Sequence, residues 1–559
     1  MGSDLRTAMW RRTAPLLAVL GLWVWGTATL LAWLRADNFP PAWDVAWHTS
    51  WSLYYRAAFD SQGLFGKLVT MASASHYYPP LVHACGAWLL GAFGTLTPNW
   101  PGLSTADVVV LSNIGFMGLL LYGTYAAGCR VYGPRAGLAA AFLALTYPIL
   151  GAHSRLFLLD YPLTGLAAVV MALLLASEGL TNRFWVWPLG LVIGLAMLCK
   201  WSFGVLVFWP LIMAAATGVN RVRASGDPEL TPLRLVFNVV AVLVGALVVA
   251  GPWYLSHLGG TLSEIGQSNQ TWRIDGDPLW YSLAGLTYYA RVLVSQQVFL
   301  PLALLGLAGV VRGWLRWPRH VGTDQLLAWL VLGLVMLTPV ANKDPRFSMP
   351  LLPALAVLTG GLLAGDDERW QPWQAVVATC IVALGLLQWQ GVAFGLPLLP
   401  ARIGPAWAPL YADEPQLGRH PSHADWPHEA LARDIARVTR AGGRCGVVPN
   451  TTLVSADSLR YWVERQMLPY LMDKDRAVAV LRVPAATPDQ LASGDQRFDS
   501  LVTLSGKQGV HAEAADAVMD NLRRQGNRFA ARYALVAEYK LPEGEVISLY
   551  ERRATDDKD

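Results

Sequence analysis

The chain has 559 residues, of which 54% are hydrophobic and only 15% are charged, and its mean hydropathy is +0.35. Soluble proteins carry about 25% charged residues, so this composition excludes a soluble multidomain protein, a disordered chain and a coiled coil for most of the length. The formal net charge of +4 is too small to indicate a nucleic-acid-binding protein. The five cysteines are scattered, which argues against a disulfide framework or a zinc site.

Apolar runs follow one another from residue 16 onward, and a helix needs about 20 mostly apolar residues to cross a bilayer. Arginines at positions 6, 11 and 12 precede the first run. Basic residues stay on the cytoplasmic side, so we place the N-terminus inside and interpret the run as an uncleaved anchor. Alternation of the later runs predicts about eleven spans. They are 16–34, 106–128, 136–152, 162–176, 186–198, 203–216, 235–255, 294–311, 326–340, 351–363 and 375–395.

The short run 81–96 decides on which side every later loop lies. If it crosses the bilayer, Arg130 and Arg135 lie outside; if it lies in the interface, both are cytoplasmic, as the positive-inside rule requires. We therefore predict that 81–96 is a juxtamembrane segment. The segments 35–80, 256–292 and 342–347 are then external, and so is the chain from residue 400 onward.

The composition changes near residue 400, where a proline-rich linker leads into charged sequence. Helical spacing at 429–440, 458–465 and 512–524 alternates with strand-like runs at 444–448, 477–483, 499–504, 533–539 and 545–550. These patterns predict a polytopic α-helical membrane domain over 1–399 and a small extracytoplasmic α/β domain over 400–559. The second domain has no glycine-rich phosphate loop, so we interpret it as a structural or acceptor-docking domain rather than a second active site.

Ionisable residues collect at the external ends of the predicted spans, whereas the middles of the spans are nearly free of charge. A charge near the bilayer centre is costly, so such residues mark a functional site or an interface. On the predicted topology they share one face: Asp44, Arg155, Asp160, Lys200, Arg273, Arg291, Lys343, Asp344 and Arg346. Transporters place polar residues within broken spans, so polar residues at span ends favour chemistry at the water–membrane boundary.

Several of these residues also have simple structural interpretations. Asp44 could cap a helix, Lys200 could extend its amine to the lipid headgroups, and Arg346 could pair with Asp344. His48, His76 and His83 lack metal-ligand spacing, so we interpret them as ordinary interfacial histidines.

The order of these motifs resembles the GT-C glycosyltransferases, specifically glycosyltransferase family 39, which holds protein O-mannosyltransferases and aminoarabinose transferases. An acidic residue, Asp44, follows the first span. The segment YYPPL at 77–81 resembles the family's juxtamembrane PPL segment. The later resemblances are CRVYGPRAGLAA at 129–140, SRLFLLDYPL at 154–163, GLAMLCKWS at 194–202 and KDPRFSMPLLP at 343–353.

The resemblance implies a GT-C fold with juxtamembrane helices and a sugar donor carried on a polyprenyl monophosphate. Asp44 would be the general base that deprotonates an extracytoplasmic acceptor, and one displacement would invert the anomeric carbon. Cations would stabilise the phosphate leaving group: Lys200, Lys343 and Arg346, with Arg273 and Arg291 as further candidates. Asp160 would orient the acceptor or hold one of these cations. No cofactor is required, and the sequence does not exclude a divalent metal.

Two departures from the family pattern bear on the site. Aminoarabinose transferases carry Glu-Lys before the two prolines, whereas Tyr77 and Tyr78 stand there in this chain, which argues against that specific sugar. Tyr78, Arg155 and Asp344 are further site candidates. The competing interpretation is a polytopic lipid or sugar carrier, of transporter or flippase type, with an external binding domain.

Overall fold

The computed structural model describes residues 2–60, 62–75, 77–94, 103–268, 276–315, 320–364, 371–473, 475–483, 498–506 and 532–553. Their contacts form two compact units. The membrane unit comprises Met1–Trp33, Met71–Val82 and Val110–His420; the C-terminal unit comprises Leu34–Thr70, His83–Val109 and Pro421–Asp559. The domain boundary at residue 400 stays a prediction, and the contacts keep the proline-rich segment up to His420 with the membrane unit.

The α-helices of the described residues run as follows in chain order: α1 Gly2–Ala36, α2 Trp43–Asp60, α3 Leu64–Ser73, α4 Leu81–Phe93, α5 Thr105–Val110, α6 Ser112–Tyr132, α7 Pro134–Thr146, α8 Pro148–His153, α9 Asp160–Ala176, α10 Arg183–Cys199, α11 Phe203–Ala224, α12 Pro232–Ser268, α13 Leu283–Leu286, α14 Tyr288–Val292, α15 Phe299–Leu315, α16 Val321–Leu337, α17 Leu352–Gly360, α18 Pro372–Phe394, α19 His428–Val438 and α20 Ala456–Gln466. A π-helix spans Leu293–Gln297, and 3₁₀ helices span Pro345–Leu351, Gly361–Leu363 and Leu468–Tyr470.

Small residues let the helices of the membrane unit pack with their backbones close together. A Cβ atom at Gly165 of α9 would lie 2.6 Å from the Phe116 carbonyl oxygen of α6. A Cβ atom at Gly190 of α10 would lie 2.5 Å from the Val242 carbonyl oxygen of α12. Such close approach is typical of helix packing in membranes, where dispersion rather than the hydrophobic effect holds helices together. This close packing fixes the positions of α9 and α10, whose ends carry Asp160 and Lys200.

Six helical stretches of the described residues are long and apolar enough to cross a membrane: Thr13–Ala36, Thr105–Tyr132, Phe203–Ala224, Pro232–Ser263, Pro345–Leu363 and Pro372–Phe394. Seven further apolar helices have 10–17 residues. Each of the predicted spans coincides with helical structure. The number of crossings stays a prediction.

Two predicted boundaries of the membrane unit differ from the ends of the observed helices. The predicted external loop 256–292 begins too early, because α12 continues through Pro252 to Ser268. The predicted span 294–311 begins inside the π-helix, and the α-helical part starts only at Phe299, whose φ of 59° breaks the helix. Hydropathy marks the apolar part of a helix and says little about where its hydrogen bonding starts or stops.

Helix α4 corresponds to the run whose placement decides the topology. It has 13 residues and is therefore about 20 Å long. A hydrocarbon core is about 30 Å thick, so this length favours an interfacial helix. The sides of the loops stay predictions.

Strands β1 Arg402–Ile403 and β2 Tyr411–Ala412 pair in the membrane unit. The described residues of the C-terminal unit form a sheet of five strands: β3 Arg444–Val447, β4 Ala479–Arg482, β5 Ser500–Leu504, β6 Tyr533–Lys540 and β7 Val546–Arg552. The strand order is β4-β3-β5-β7-β6, with β3 parallel to β4 and β5, and β7 antiparallel to β5 and β6. Helices α19 and α20 bury Leu431, Ile435, Leu459 and Val463 in the same core as Val447. The α/β character and the final hairpin are thereby confirmed; the predicted helix at 512–524 lies outside the described residues.

Candidate active site

Asp160 and Lys200 form a buried ion pair at adjoining helix ends. Asp160 opens α9, and Lys200 caps the C-terminal end of α10 in the short turn before α11. The Cys199 Sγ donates to the Leu159 carbonyl oxygen at 3.3 Å, which ties the two ends together. The Lys200 Nζ lies 2.7 Å from the Asp160 Oδ1, and the two side chains are 14% and 5% exposed. Of the roles expected for Asp160, this contact corresponds to holding a cation.

Asp344 and Arg346 form a second ion pair at the start of the 3₁₀ helix Pro345–Leu351. The Arg346 backbone N–H donates to the Asp344 Oδ1 at 2.8 Å, and its Nε and Nη2 donate to Oδ2 at 2.9 and 2.7 Å. The Gln416 Nε2 donates to Oδ1 at 3.1 Å. Burial alone would raise the pKa of Asp344, but attraction and hydrogen bonds from Arg346 outweigh it and lower that pKa to about 2.

Gln297 fixes the segment that carries this second pair. It is the last residue of the π-helix, and its Nε2 donates to the Pro345 carbonyl oxygen at 2.6 Å and to the Ser348 Oγ at 2.8 Å. The Gln297 side chain is buried, and π-helical turns occur frequently at functional sites. Sequence analysis missed this residue; its only signal is an amide inside an apolar stretch.

Phe347 and His153 connect the two ion pairs. The Lys200 Nζ lies 4.9 Å from the centre of the Phe347 ring, next to Arg346 in the chain. His153 ends α8, is fully buried, and interacts electrostatically with Arg346, Asp160 and Asp344. Burial and the Arg346 charge lower the pKa of His153 to about 4, against the opposing effect of the two carboxylates. Sequence analysis missed His153 as a site residue, because nothing in its local sequence separates it from a loop histidine.

We call these residues the paired-charge cluster: Asp160, Lys200, Asp344, Arg346 and His153. Lysine and arginine from separate segments are each held by a carboxylate before any ligand arrives. An ammonium has three N–H donors, and Asp160 takes one of those of Lys200. Such preorganised cations are suited to stabilise a phosphate on which charge develops.

Two of the predicted phosphate-binding residues make other contacts. The Lys343 Nζ donates to the carbonyl oxygens of Leu337, at 3.4 Å, and Thr338 at the end of α16, and lies 5.3 Å from the Tyr289 ring centre. Burial lowers the pKa of Lys343. Arg291 is exposed and donates to the Ala284 carbonyl oxygen.

Arg155 lies in a different environment from the cluster cations. Its Nη1 donates to the Val392 carbonyl oxygen at 2.8 Å, and its guanidinium lies 5.7 and 5.6 Å from the rings of Trp33 and Trp389. These contacts indicate a structural role. The predicted role of Arg273 cannot be placed, because this residue lies outside the described residues.

The remaining predicted site residues are Tyr78 and Asp44. In the membrane unit, the Tyr78 backbone N–H donates to the Ser75 Oγ at 3.2 Å, and its ring lies 4.4 Å from that of Tyr77. In the C-terminal unit, Asp44 is exposed in the first turn of α2 and follows Trp43, whose φ is 42°. Within the described residues, no three His, Cys, Asp or Glu side chains come together as metal ligands.

Comparisons by sequence identify similar membrane glycosyltransferases. The dolichyl-phosphate-mannose-protein mannosyltransferase family matches residues 82–250. Undecaprenyl phosphate-alpha-4-amino-4-deoxy-L-arabinose arabinosyl transferase 1 of Pseudomonas fluorescens is 28% identical over 306 residues, which cover 51% of this chain and 49% of that protein. Transferase 2 of the same organism is 25% identical over 254 residues, 41% of this chain and 38% of the relative. The chain thus spans about half or less of the length of these curated relatives.

Comparisons by structure cover nearly the whole chain. ArnT from Cupriavidus metallidurans bound to undecaprenyl phosphate superposes with a TM-score of 0.58 at 15% identity, covering 96% of this chain and 98% of that one. The oligosaccharyltransferase AglB from Archaeoglobus fulgidus, in complex with an inhibitory peptide and a dolichol-phosphate, gives 0.54 at 12% identity, covering 98% and 75%. At sequence identities this low, the similarity to these structures shows a shared fold only. The chain is therefore a multi-pass membrane protein with the GT-C fold of membrane glycosyltransferases, as the order of its motifs predicts.

Proposed function

We propose that this protein is an inverting glycosyltransferase that moves a sugar from a polyprenyl-monophosphate donor to an extracytoplasmic acceptor. The observation that carries the proposal is the paired-charge cluster, in which Lys200 and Arg346 come from separate segments and are each held by a carboxylate. The similar proteins named above use or bind polyprenyl phosphates according to their descriptions.

In the proposed reaction, the paired-charge cluster stabilises the phosphate leaving group. A polyprenyl phosphate leaves as an anion, so it needs stabilising positive charge rather than a proton. The Lys200 ammonium and the Arg346 guanidinium provide that charge in a mostly buried, low-dielectric setting, where cations act more strongly than in water. The carboxylates of Asp160 and Asp344 hold both cations in position, so little reorganisation is needed when the phosphate charge grows.

In the proposed reaction, Asp44 is the general base that acts on the acceptor. A carboxylate near neutral pH can take the acceptor hydroxyl proton as the new bond forms, and one such displacement inverts the anomeric centre. We therefore expect Asp44→Asn to fold normally and to be nearly inactive. Tyr77 and Tyr78 stand where aminoarabinose transferases carry Glu-Lys, which argues against that specific sugar.

The test is release of polyprenyl phosphate from a labelled polyprenyl-phosphosugar by the purified protein in lipid nanodiscs. We expect Lys200→Ala and Arg346→Ala to raise the donor KM about tenfold or more, since each removes a charge-assisted contact. The matched controls Lys540→Ala and Arg402→Ala replace exposed residues of the same types and should leave the donor KM unchanged. Unchanged donor kinetics in both cluster variants, or transport of the donor without release of the lipid phosphate, would contradict the proposal and favour a carrier.

A further inference from the structure

Helix α2, which carries Asp44, packs against helix α20 within the C-terminal unit. Trp47 lies three residues after Asp44 and therefore on the same face of α2. The Arg460 guanidinium of α20 lies 4.7 Å from the centre of the Trp47 ring, which is within the range of a cation–π interaction.

Arg460 is itself held from two other directions. Its Nη1 pairs with the Asp457 Oδ1 at 2.8 Å, one turn earlier on α20, and its Nη2 donates to the Val480 carbonyl oxygen of strand β4 at 3.1 Å. One guanidinium thus joins the sheet, α20 and α2. Because strand β4 holds the Arg460 guanidinium, the contact of that group with Trp47 can hold helix α2 in position.

The same face of α20 meets α2 at two further points. The Glu464 carboxyl faces Ser50 of α2, and burial raises the pKa of Glu464 to about 7 against the smaller, opposing effect of Ser50. Asp457 interacts electrostatically with Asp44, and burial, with a smaller contribution from Asp44, raises the pKa of Asp457. The interactions of α20 with α2 therefore fall at Asp44, Trp47 and Ser50, within the first two turns of α2.

The backbone just before Asp44 is strained. Trp43 has a φ of 42°, in the left-handed region that bulky residues rarely adopt. Such a conformation is costly and persists only where the surrounding structure enforces it. Trp43 is the first residue of α2, the helix that packs on α20.

We propose that α20 positions Asp44 through helix α2, with Arg460 and its contact with Trp47 as the principal connection. This inference rests on the proposed function, in which Asp44 is the base, and it gives the C-terminal unit a part in the chemistry. Arg460 is a positioning residue: it acts on the reaction only by fixing the helix that carries the carboxylate.

The experiment compares Arg460→Ala with Arg437→Ala in the polyprenyl-phosphosugar assay. Arg437 is a matched control, because it forms an i,i+3 pair with Asp434 at 2.9 Å on the neighbouring helix α19. We expect Arg460→Ala to lower kcat about tenfold, the equivalent of about 1.4 kcal/mol, with the donor KM within about twofold of the wild type. Arg460→Lys keeps a cation over Trp47 and should recover most of kcat, while Arg437→Ala should match the wild type.

Trp47→Leu keeps the test decisive if Arg460→Ala does not fold. It removes the ring and leaves the contacts of Arg460 with Asp457 and Val480 intact, so we expect the same loss of kcat. In an Asp44→Asn background, Arg460→Ala should cause no additional loss, because the two changes act on one function. Wild-type kcat in Trp47→Leu, or in a folded Arg460→Ala, overturns the inference; wild-type turnover in Asp44→Asn instead overturns the proposed base.

Discussion

The Asp160–Lys200 pair allows structural and functional effects to be separated at the level of single residues. Asp160→Asn leaves the mostly buried Lys200 ammonium without its carboxylate, which costs about 3 kcal/mol. Lys200→Met leaves the buried Asp160 carboxylate without its cation, at a similar cost. In the double variant Asp160→Asn/Lys200→Met both charges are absent, so we expect the melting temperature to return close to that of the wild type. The donor KM should stay high, because the phosphate-stabilising cation is absent. A double variant as unstable as either single variant, or one with a normal donor KM, would contradict this assignment.

His153 makes a prediction about pH. Its pKa is lowered to about 4 in the folded protein, whereas an unfolded histidine titrates near 6.5. As the pH falls from about 6.5 to about 4, the unfolded chain therefore binds a proton that the folded chain does not. The contribution of His153 to stability should fall over this window by about 3 kcal/mol and change little further below it.

The His153 prediction is measured as the melting temperature of the purified protein between pH 4 and pH 7.5. We expect His153→Gln to have a shallower loss of melting temperature on acidification than the wild type. His423→Gln replaces an exposed histidine and should retain the wild-type slope. Parallel curves for His153→Gln and the wild type would show that the buried imidazole does not set this slope.

Residue chemistry explains which parts of the cluster are visible in the sequence. Asp160, Lys200, Asp344 and Arg346 are ionisable groups at the ends of apolar runs, where burying a charge is costly, so their positions alone single them out. The pairing of Asp344 with Arg346 is also visible, because the two residues lie two positions apart. The pairing of Asp160 with Lys200 is not, because these residues are distant in the chain and meet only through helix packing. Lys343 shows the converse: its sequence setting resembles that of Arg346, yet its amine turns back to helix carbonyls.

At the scale of elements, the π-helix Leu293–Gln297 positions the segment that carries Arg346. Gln297→Ala removes two hydrogen bonds to that segment, each worth about 1 kcal/mol, so Arg346 should be held less firmly. We expect the donor KM to rise about fivefold, as determined by the polyprenyl-phosphosugar assay. Gln388 is a matched control, since it is also buried and its Nε2 donates to the Leu410 carbonyl oxygen at 3.0 Å. Equal effects of Gln297→Ala and Gln388→Ala on KM would argue against a positioning role.

Elements are predicted from the sequence to different degrees in the two units. The strands at 444–447 and 500–504 and the final hairpin follow from alternation and turn residues, and the apolar helices follow from hydropathy. The helix ends do not follow: α12 continues past Pro252 to Ser268, and a π-helix occupies the start of the predicted span 294–311. Membrane helices tolerate proline because neighbouring groups satisfy the freed backbone, and that compensation is a property of the packed bundle.

At the scale of the whole molecule, the proposal requires that both ends of α4 lie on one side of the membrane. The arginines after residue 128 predict this arrangement, and the 13-residue length of α4 favours it. If α4 crossed the bilayer instead, every later loop would change sides, whereas Asp44, which precedes α4, would stay where it is. The loops of Asp160, Lys200 and Arg346 would then lie on the face opposite to that of Asp44.

Labelling of single cysteines tests this topology in a variant that lacks the five natural cysteines. Gly63→Cys and Ser104→Cys flank α4 at exposed positions, and Gly226→Cys lies in the basic segment predicted to be cytoplasmic. We expect a membrane-impermeant maleimide to label positions 63 and 104 in intact cells and position 226 only after permeabilisation. Labelling of 63 and 104 from opposite sides would mean that α4 crosses the bilayer. That result would contradict the proposed reaction, because Asp44 and the loops of Asp160, Lys200 and Arg346 would then lie on opposite sides of the membrane.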